Sequence, residues 1–109
     1  MVEVEIEAVG DEYEYRVRTT IPPEELAVEV VDGRLSVRGK TSVELKGGDV
    51  GVAEELDWST KLSKAFHAKY SSDNFQVAFN VHPTNSGGYT AAGGILSIRF
   101  PPKLAGTTT

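Results

Sequence analysis

The chain has 109 residues, no cysteine and a formal net charge of −5 at pH 7. This length suits one domain with one core, and the lack of cysteine excludes disulfides and cysteine-ligated metal sites. The acidic balance argues against nucleic acid as a partner, because phosphate backbones attract basic surfaces. No apolar run approaches the roughly 20 residues that a membrane-spanning helix needs.

The first part of the chain alternates apolar and polar residues with a period of two, which is typical of half-buried strands. Pro22-Pro23 ends one such run, because proline cannot donate to a strand ladder. Asp32-Gly33 predicts a tight hairpin, since the favoured two-residue turns need positive φ. The strands predicted here are residues 2–7, 13–20, 26–31 and a fourth from about Leu35 that Val43 and Leu45 continue.

The middle of the chain, residues 41–73, departs from this period. Four large side chains follow one another at steps of four residues: Trp58, Leu62, Phe66 and Tyr70. Such a stripe is typical of an amphipathic helix, and Asp57 or Ser59 could cap it. The sequence therefore favours one short helix near residues 57–70, with a strand or a loop as the alternatives for residues 41–73.

The last part of the chain returns to alternation. The clearest run extends from Phe75 to Val81, a short strand is predicted at 89–92, and Leu96, Ile98 and Phe100 share one face of the final strand. Seven or eight short strands separated by Gly, Pro and Asp turns predict an all-β, immunoglobulin-like antiparallel β-sandwich. We expect this domain to cover residues 1–103 and a flexible polar tail to cover 104–109.

Residue types that carry chemistry are sparse. His67 and His82 are the only histidines, no GxSxG sequence frames a nucleophilic serine, and the glycine pairs lack a phosphate-binding frame. We expect no catalytic residue, no metal site and no cofactor. The Glu3, Glu5 and Glu7 ladder could hold calcium, but such a row more often forms a solvated face that protects a sheet edge. Without a signal segment or a membrane span, cytoplasm is the expected location.

Three segments resemble the small heat-shock protein, or alpha-crystallin domain, family. They are YRVRTTIPPEELAVEVVDGRLSVRGK (15–40), NFQVAFNVHP (74–83) and YTAAGGILSIRFPPK (89–103). The last is similar to the family's hallmark of glycine, an aliphatic pair, alternating residues and Pro-Lys. The resemblance covers roughly residues 12–103 without the middle, and it implies the alpha-crystallin type of β-sandwich.

The resemblance implies an ATP-independent chaperone that binds exposed apolar segments of unfolding proteins and prevents their aggregation. It places a client-binding groove between the strand before the Asp-Gly hairpin and the last strand. The groove residues that it implies are Ala27, Val28, Val30, Leu96 and Ile98. The alternative for Val28, Val30, Leu96 and Ile98 is that they belong to the chain's own core.

The resemblance also implies self-association. Because the N-terminal arm that drives large assemblies in the family is almost absent, we expect a homodimer or small homo-oligomer, unless the sequence is a trimmed part of a longer chain. Trp58, Leu62, Phe66 and Tyr70 are the candidate dimer interface, with cover for the chain's own sheet as the alternative. A rival function is that of a CS-type co-chaperone-like adaptor that binds one specific folded partner.

Overall fold

A computed structural model describes residues 3–81 and 94–103. This part of the chain forms seven strands and one short α-helix, joined by turns and two single 3-10 turns at Pro23–Glu25 and Lys46–Gly48. The elements are β1 (Glu3–Val9), β2 (Glu12–Thr19), β3 (Leu26–Val31), β4 (Arg34–Glu44), β5 (Val50–Lys61), α1 (Lys64–Lys69), β6 (Gln76–Val81) and β7 (Gly94–Phe100). The strand predicted at 89–92, His82 and the tail at 104–109 lie outside the described residues.

The strands form two antiparallel sheets, which confirms the predicted β-sandwich. The four-stranded sheet has the order β1-β2-β7-β6, and the three-stranded sheet has the order β3-β4-β5. Asp32 and Gly33 join β3 to β4 with φ values of 53° and 72°. This hairpin is therefore of the kind that the Asp-Gly pair predicts, with positive φ at both turn positions.

The stacking of the two sheets follows from one inter-sheet ring contact and the two strand orders, which together place β3 on the same side of the sandwich as β6. The rings of Tyr15 on β2 and Trp58 on β5 are 6.0 Å apart between centroids, so β5 lies over β2. Val37 on β4 and Ile98 on β7 are both 0% exposed, whereas Ile6 on β1 is 52% exposed. Each central strand thus covers the other, β1 extends beyond the three-stranded sheet, and the edge strands β3 and β6 share one margin.

One short helix is present in the predicted region, but it is shorter than the stripe of large residues suggested. Helix α1 begins after Ser63, whose hydroxyl accepts a hydrogen bond from the Phe66 backbone N–H at 3.0 Å. Asp57 and Ser59, the expected caps, lie within β5 together with Trp58. The stripe misled because a step of four residues is also two strand repeats, so it fits both periods.

Tyr15 provides a test of the core through its titration. It is 5% exposed, packs against Phe100 at 5.9 Å between ring centroids, and burial together with the charge of Tyr13 raises its pKa to about 12. An unfolded tyrosine titrates near pH 10. Because the unfolded chain loses this proton first, the stability that Tyr15 contributes is complete below about pH 10 and is lost as the pH rises towards 12.

We therefore expect the free energy of unfolding, measured by urea titration, to fall between about pH 10 and pH 12. The Tyr15→Phe variant keeps the ring and removes the proton, so its fall over this interval should be clearly smaller. An equal fall in both proteins would show that Tyr15 does not carry the effect.

Candidate functional site

The four edge strands are the candidate sites, because an edge presents unpaired backbone groups to which another chain can add a strand. Strands β1 and β6 bound the four-stranded sheet, and β3 and β5 bound the three-stranded sheet. Proteins protect such edges with charged side chains. The charges that each edge carries therefore indicate which one is open to a partner.

The β1 edge is covered by ion pairs. Glu3, Glu5 and Glu7 lie on the outer face of the sheet opposite β2. Arg16 Nη2 is 2.6 Å from Glu7 Oε2 and 3.4 Å from Glu5 Oε2, and Arg18 Nε is 3.5 Å from Glu3 Oε2. The acidic ladder is thus matched by arginines of β2, which accounts for its side chains without a calcium ion.

The ion pairs continue across the outer face to β7. Glu14 is 3% exposed and accepts a hydrogen bond from Arg99 Nε at 2.9 Å, while Arg16 Nη1 lies 3.4 Å from its other oxygen. This hydrogen bond raises the pKa of Arg99 above its ordinary value. Charges on this face are therefore compensated within the chain.

The β6 edge lacks such protection. Among the four edges of the described part of the chain, it is the one without a charged residue, since its sequence is QVAFNV. Val77 and Phe79 pair with Ile98 and Leu96, so they point towards the sandwich interior together with Val81. Even so, Val77 is 46% exposed and Val81 is 73% exposed. The inner face of this strand is only partly covered.

The opposite side of the same margin is also apolar. The side chains of β3 alternate, so Leu26, Val28 and Val30 are half-buried while the residues between them are exposed. The inner face of β3 thus lies across from the inner face of β6. We call this surface the β3–β6 rim, and its residues are Leu26, Val28, Val30, Val77, Phe79 and Val81.

The structure divides the five residues of the predicted groove. Val28 and Val30 lie on the rim, and Ala27 is exposed on the outer face of β3. Leu96 and Ile98 are 3% and 0% exposed, and their strand β7 is paired on both sides. The last strand therefore forms no open wall, whereas β6 has one free edge. The sequence feature that indicates β6 as an accessible edge is its lack of charged residues.

The four residues of the predicted dimer interface lie largely within the chain's own core. Leu62 and Phe66 are 3% and 8% exposed, and Tyr70 packs on Phe66 with ring centroids 5.2 Å apart. Trp58 differs from them because it is half-buried and lies on the edge strand β5. Leu62 and Phe66 thus belong to the chain's own core, which is the alternative given above. Of the four residues, Trp58 is the one on an edge strand.

Neither a metal site nor a membrane span is evident in the described residues. No three His, Asp or Glu side chains within 3–81 and 94–103 converge so that they could hold a metal ion. His67 packs its ring against Phe66 at 5.6 Å between centroids. The single helix of this part is too short to cross a membrane.

Comparison with solved structures identifies the fold. A small heat-shock protein from Xylella fastidiosa superposes with a TM-score of 0.62 at 17% identity, over 100% of this chain and 92% of that one. The hspA of Xanthomonas axonopodis gives 0.61 at 17% identity, over 94% and 93%. The rat alpha crystallin domain gives 0.55 at 17% identity, over 98% of both chains.

These likenesses confirm the fold that the sequence motifs imply, which is the alpha-crystallin type of β-sandwich. Comparison with protein-family models finds no match. Comparison with curated proteins also finds none.

Proposed function

We propose that this protein is an ATP-independent chaperone that holds apolar, strand-like segments of unfolding proteins at the β3–β6 rim. The observation that carries the proposal is the β6 edge, which is apolar, uncharged and half-exposed on its inner face. The fold shared with small heat-shock proteins supports the same role. No covalent step is involved, and no catalytic residue is needed.

The binding mode is strand addition. An extended segment pairs its backbone with β6 and places alternate side chains between Val77 or Val81 and the inner face of β3. Each apolar side chain that becomes fully buried contributes about 1.5–3 kcal/mol. Loss of translational freedom and the ordering of the segment offset much of this gain, so we expect reversible binding of about micromolar affinity.

The rival function, a CS-type adaptor that recognises one folded partner, makes a different demand on the same fold. An adaptor needs one shaped surface, whereas a chaperone needs an edge that accepts many sequences. Backbone pairing at β6 is indifferent to sequence, which favours the chaperone. An adaptor would leave the aggregation of an unfolded model client unchanged.

The test uses two variants with the same substitution at equal exposure. Val81→Lys places a charge on the rim, and Val50→Lys places one at the tip of the β4–β5 hairpin, where the valine is also 73% exposed. By light scattering of a heat-unfolded client, Val81→Lys should need several times more protein for equal suppression, because a buried charge is costly. Val50→Lys should match the unaltered chain.

Two outcomes would contradict the proposal. The first is that the unaltered chain fails to suppress aggregation at any ratio up to a large excess. The second is that both lysine variants lose activity equally, since the effect would then follow charge and not the rim. Circular dichroism of each variant confirms that the sandwich is retained.

We also propose that two copies associate through their β5 edges, with Trp58 at the centre. When two copies pair edge to edge about a twofold axis, the corresponding faces of both strands lie on the same side of the joined sheet. In the arrangement that places Trp58 opposite its own copy, Glu55 of each chain lies opposite Lys61 of the other. Within one chain Lys61 lies opposite Arg34, a like-charge pair. A carboxylate from the second copy relieves that repulsion.

A further inference from the structure

β3 and the turns at its two ends carry four carboxylates and no basic residue. Glu24 and Glu25 form the turn before β3, Glu29 lies on its exposed face, and Asp32 follows it. None of the four makes an ion pair within residues 3–81 and 94–103. This edge therefore carries more negative than positive charge. The β1 edge is also rich in glutamates, but arginines of β2 pair with them.

The contrast with β1 shows that the field is local. The glutamates of β1 are matched by Arg16 and Arg18, so that edge is acidic in sequence but largely compensated in the fold. Arg38, the cation opposite Ala27, is engaged by Asp57 at 3.4 Å. Glu29 lies opposite the neutral Ser36, and of the two arginines that flank Ser36 on this face, Arg38 is the one paired with Asp57 while Arg34 donates a hydrogen bond to Ser59 at 3.1 Å. The uncompensated charge is thus on the rim strand.

Nothing on the facing strand offsets this charge, because β6 contains no ionisable residue. Stacked sheets lie about 10 Å apart, so the backbone of a segment paired with β6 lies roughly that far from the backbone of β3, on which or next to which the four carboxylates lie. That distance is comparable to the Debye length of about 10 Å at 0.1 M salt, so the field reaches the segment.

From this geometry we infer that the β3–β6 rim selects extended segments whose alternating apolar residues are flanked by lysine or arginine, and rejects segments flanked by acidic residues. The inference rests on the proposed function, which supplies the strand-adding groove. It adds the charge class of the ligand. Lysine and arginine suit this place because their aliphatic stems cover apolar surface while the charged ends reach the carboxylates.

The test measures binding of labelled peptides by fluorescence anisotropy. Three peptides share one core of alternating valine and threonine, and they end in lysine, serine or glutamate pairs. At about 0.03 M salt the lysine peptide should bind roughly tenfold more tightly than the glutamate peptide, with the serine peptide between them. At about 0.3 M salt the difference should shrink to about twofold or less.

Two double variants locate the effect. Glu25→Gln/Glu29→Gln removes two rim carboxylates, and Glu44→Gln/Asp49→Asn removes two exposed carboxylates at the hairpin tip, which also lack ion pairs in the described residues. Both variants have the same net charge. The rim variant should lose most of the preference for lysine, and the tip variant should keep it.

The outcomes separate the two proposals. Equal binding of all three peptides by the unaltered chain would overturn the charge selection and leave the chaperone function standing. Equal loss in both double variants would also overturn it, because the preference would then follow net charge. If no peptide binds and the Val81→Lys substitution changes nothing, the strand-adding rim itself fails, and the inference fails with it.

Discussion

Phe66→Ala should lower the free energy of unfolding by about 3–5 kcal/mol, the usual cost of deleting a buried phenylalanine ring. Phe66 is 8% exposed, and its ring lies 5.0 Å from Phe100, 5.4 Å from Tyr13 and 5.2 Å from Tyr70 between centroids. A helix of six residues has little stability of its own. Loss of this ring therefore also releases α1 from the end of the sandwich.

Urea unfolding at several protein concentrations checks this prediction. Val52→Ala is the control, because Val52 is 55% exposed at the hairpin and should cost less than about 0.5 kcal/mol. If Phe66 were instead an interface residue, Phe66→Ala would change the oligomeric state and leave the unfolding of the monomer nearly unaltered. That result would restore the interpretation of the stripe at Trp58, Leu62, Phe66 and Tyr70 as a docking surface.

Lys61→Glu should weaken the proposed pairing of two copies through β5 by about tenfold or more, because it turns two cross-strand attractions at that edge into two repulsions. Twofold symmetry doubles the effect, because the arrangement contains two Glu55–Lys61 pairs, one on each side of Trp58. The substitution should hardly affect folding, because Lys61 is exposed and lies opposite Arg34 within its own sheet.

The matched experiment is a charge exchange. Glu55→Lys alone should weaken the association as Lys61→Glu does, and Glu55→Lys/Lys61→Glu together should restore it, because opposite charges again face each other. Sedimentation velocity over a concentration series gives the dissociation constants. A monomer at all concentrations, or a double variant no better than the single ones, would contradict pairing through β5 in this arrangement.

Part of the candidate site can be predicted from the sequence, because alternation is a local property. The other part cannot, because it depends on which strands pair with each other. The inward position of Val28 and Val30 follows from the sequence, because the Asp-Gly hairpin fixes the alternation of β3 and alternation fixes which side chains point inward. The family resemblance implies a place for Leu96 and Ile98 at the groove, whereas the structure buries both side chains in the core. Their strand pairs on both sides, and pairing between distant segments leaves no mark in local periodicity.

Trp58 and Leu62 show the limit of periodicity itself. A step of four residues places both on one face of a helix and also on one face of a strand. Leu56, two residues before Trp58, points inward on β5, whereas on a helix it would lie on the side opposite to Trp58 and Leu62. Only the pairing of β5 with β4 selects the extended form for this segment.

The sequence by itself determined the class of fold, because alternating apolar residues and turns at Pro22-Pro23 and Asp32-Gly33 allow few structures other than two antiparallel sheets with buried inner faces. The tertiary structure decided which strands are edges, which carboxylates are matched by arginines, and which apolar side chains remain accessible. Those properties depend on the order of strands within a sheet and on how the sheets stack, and both are set by contacts between residues far apart in the chain.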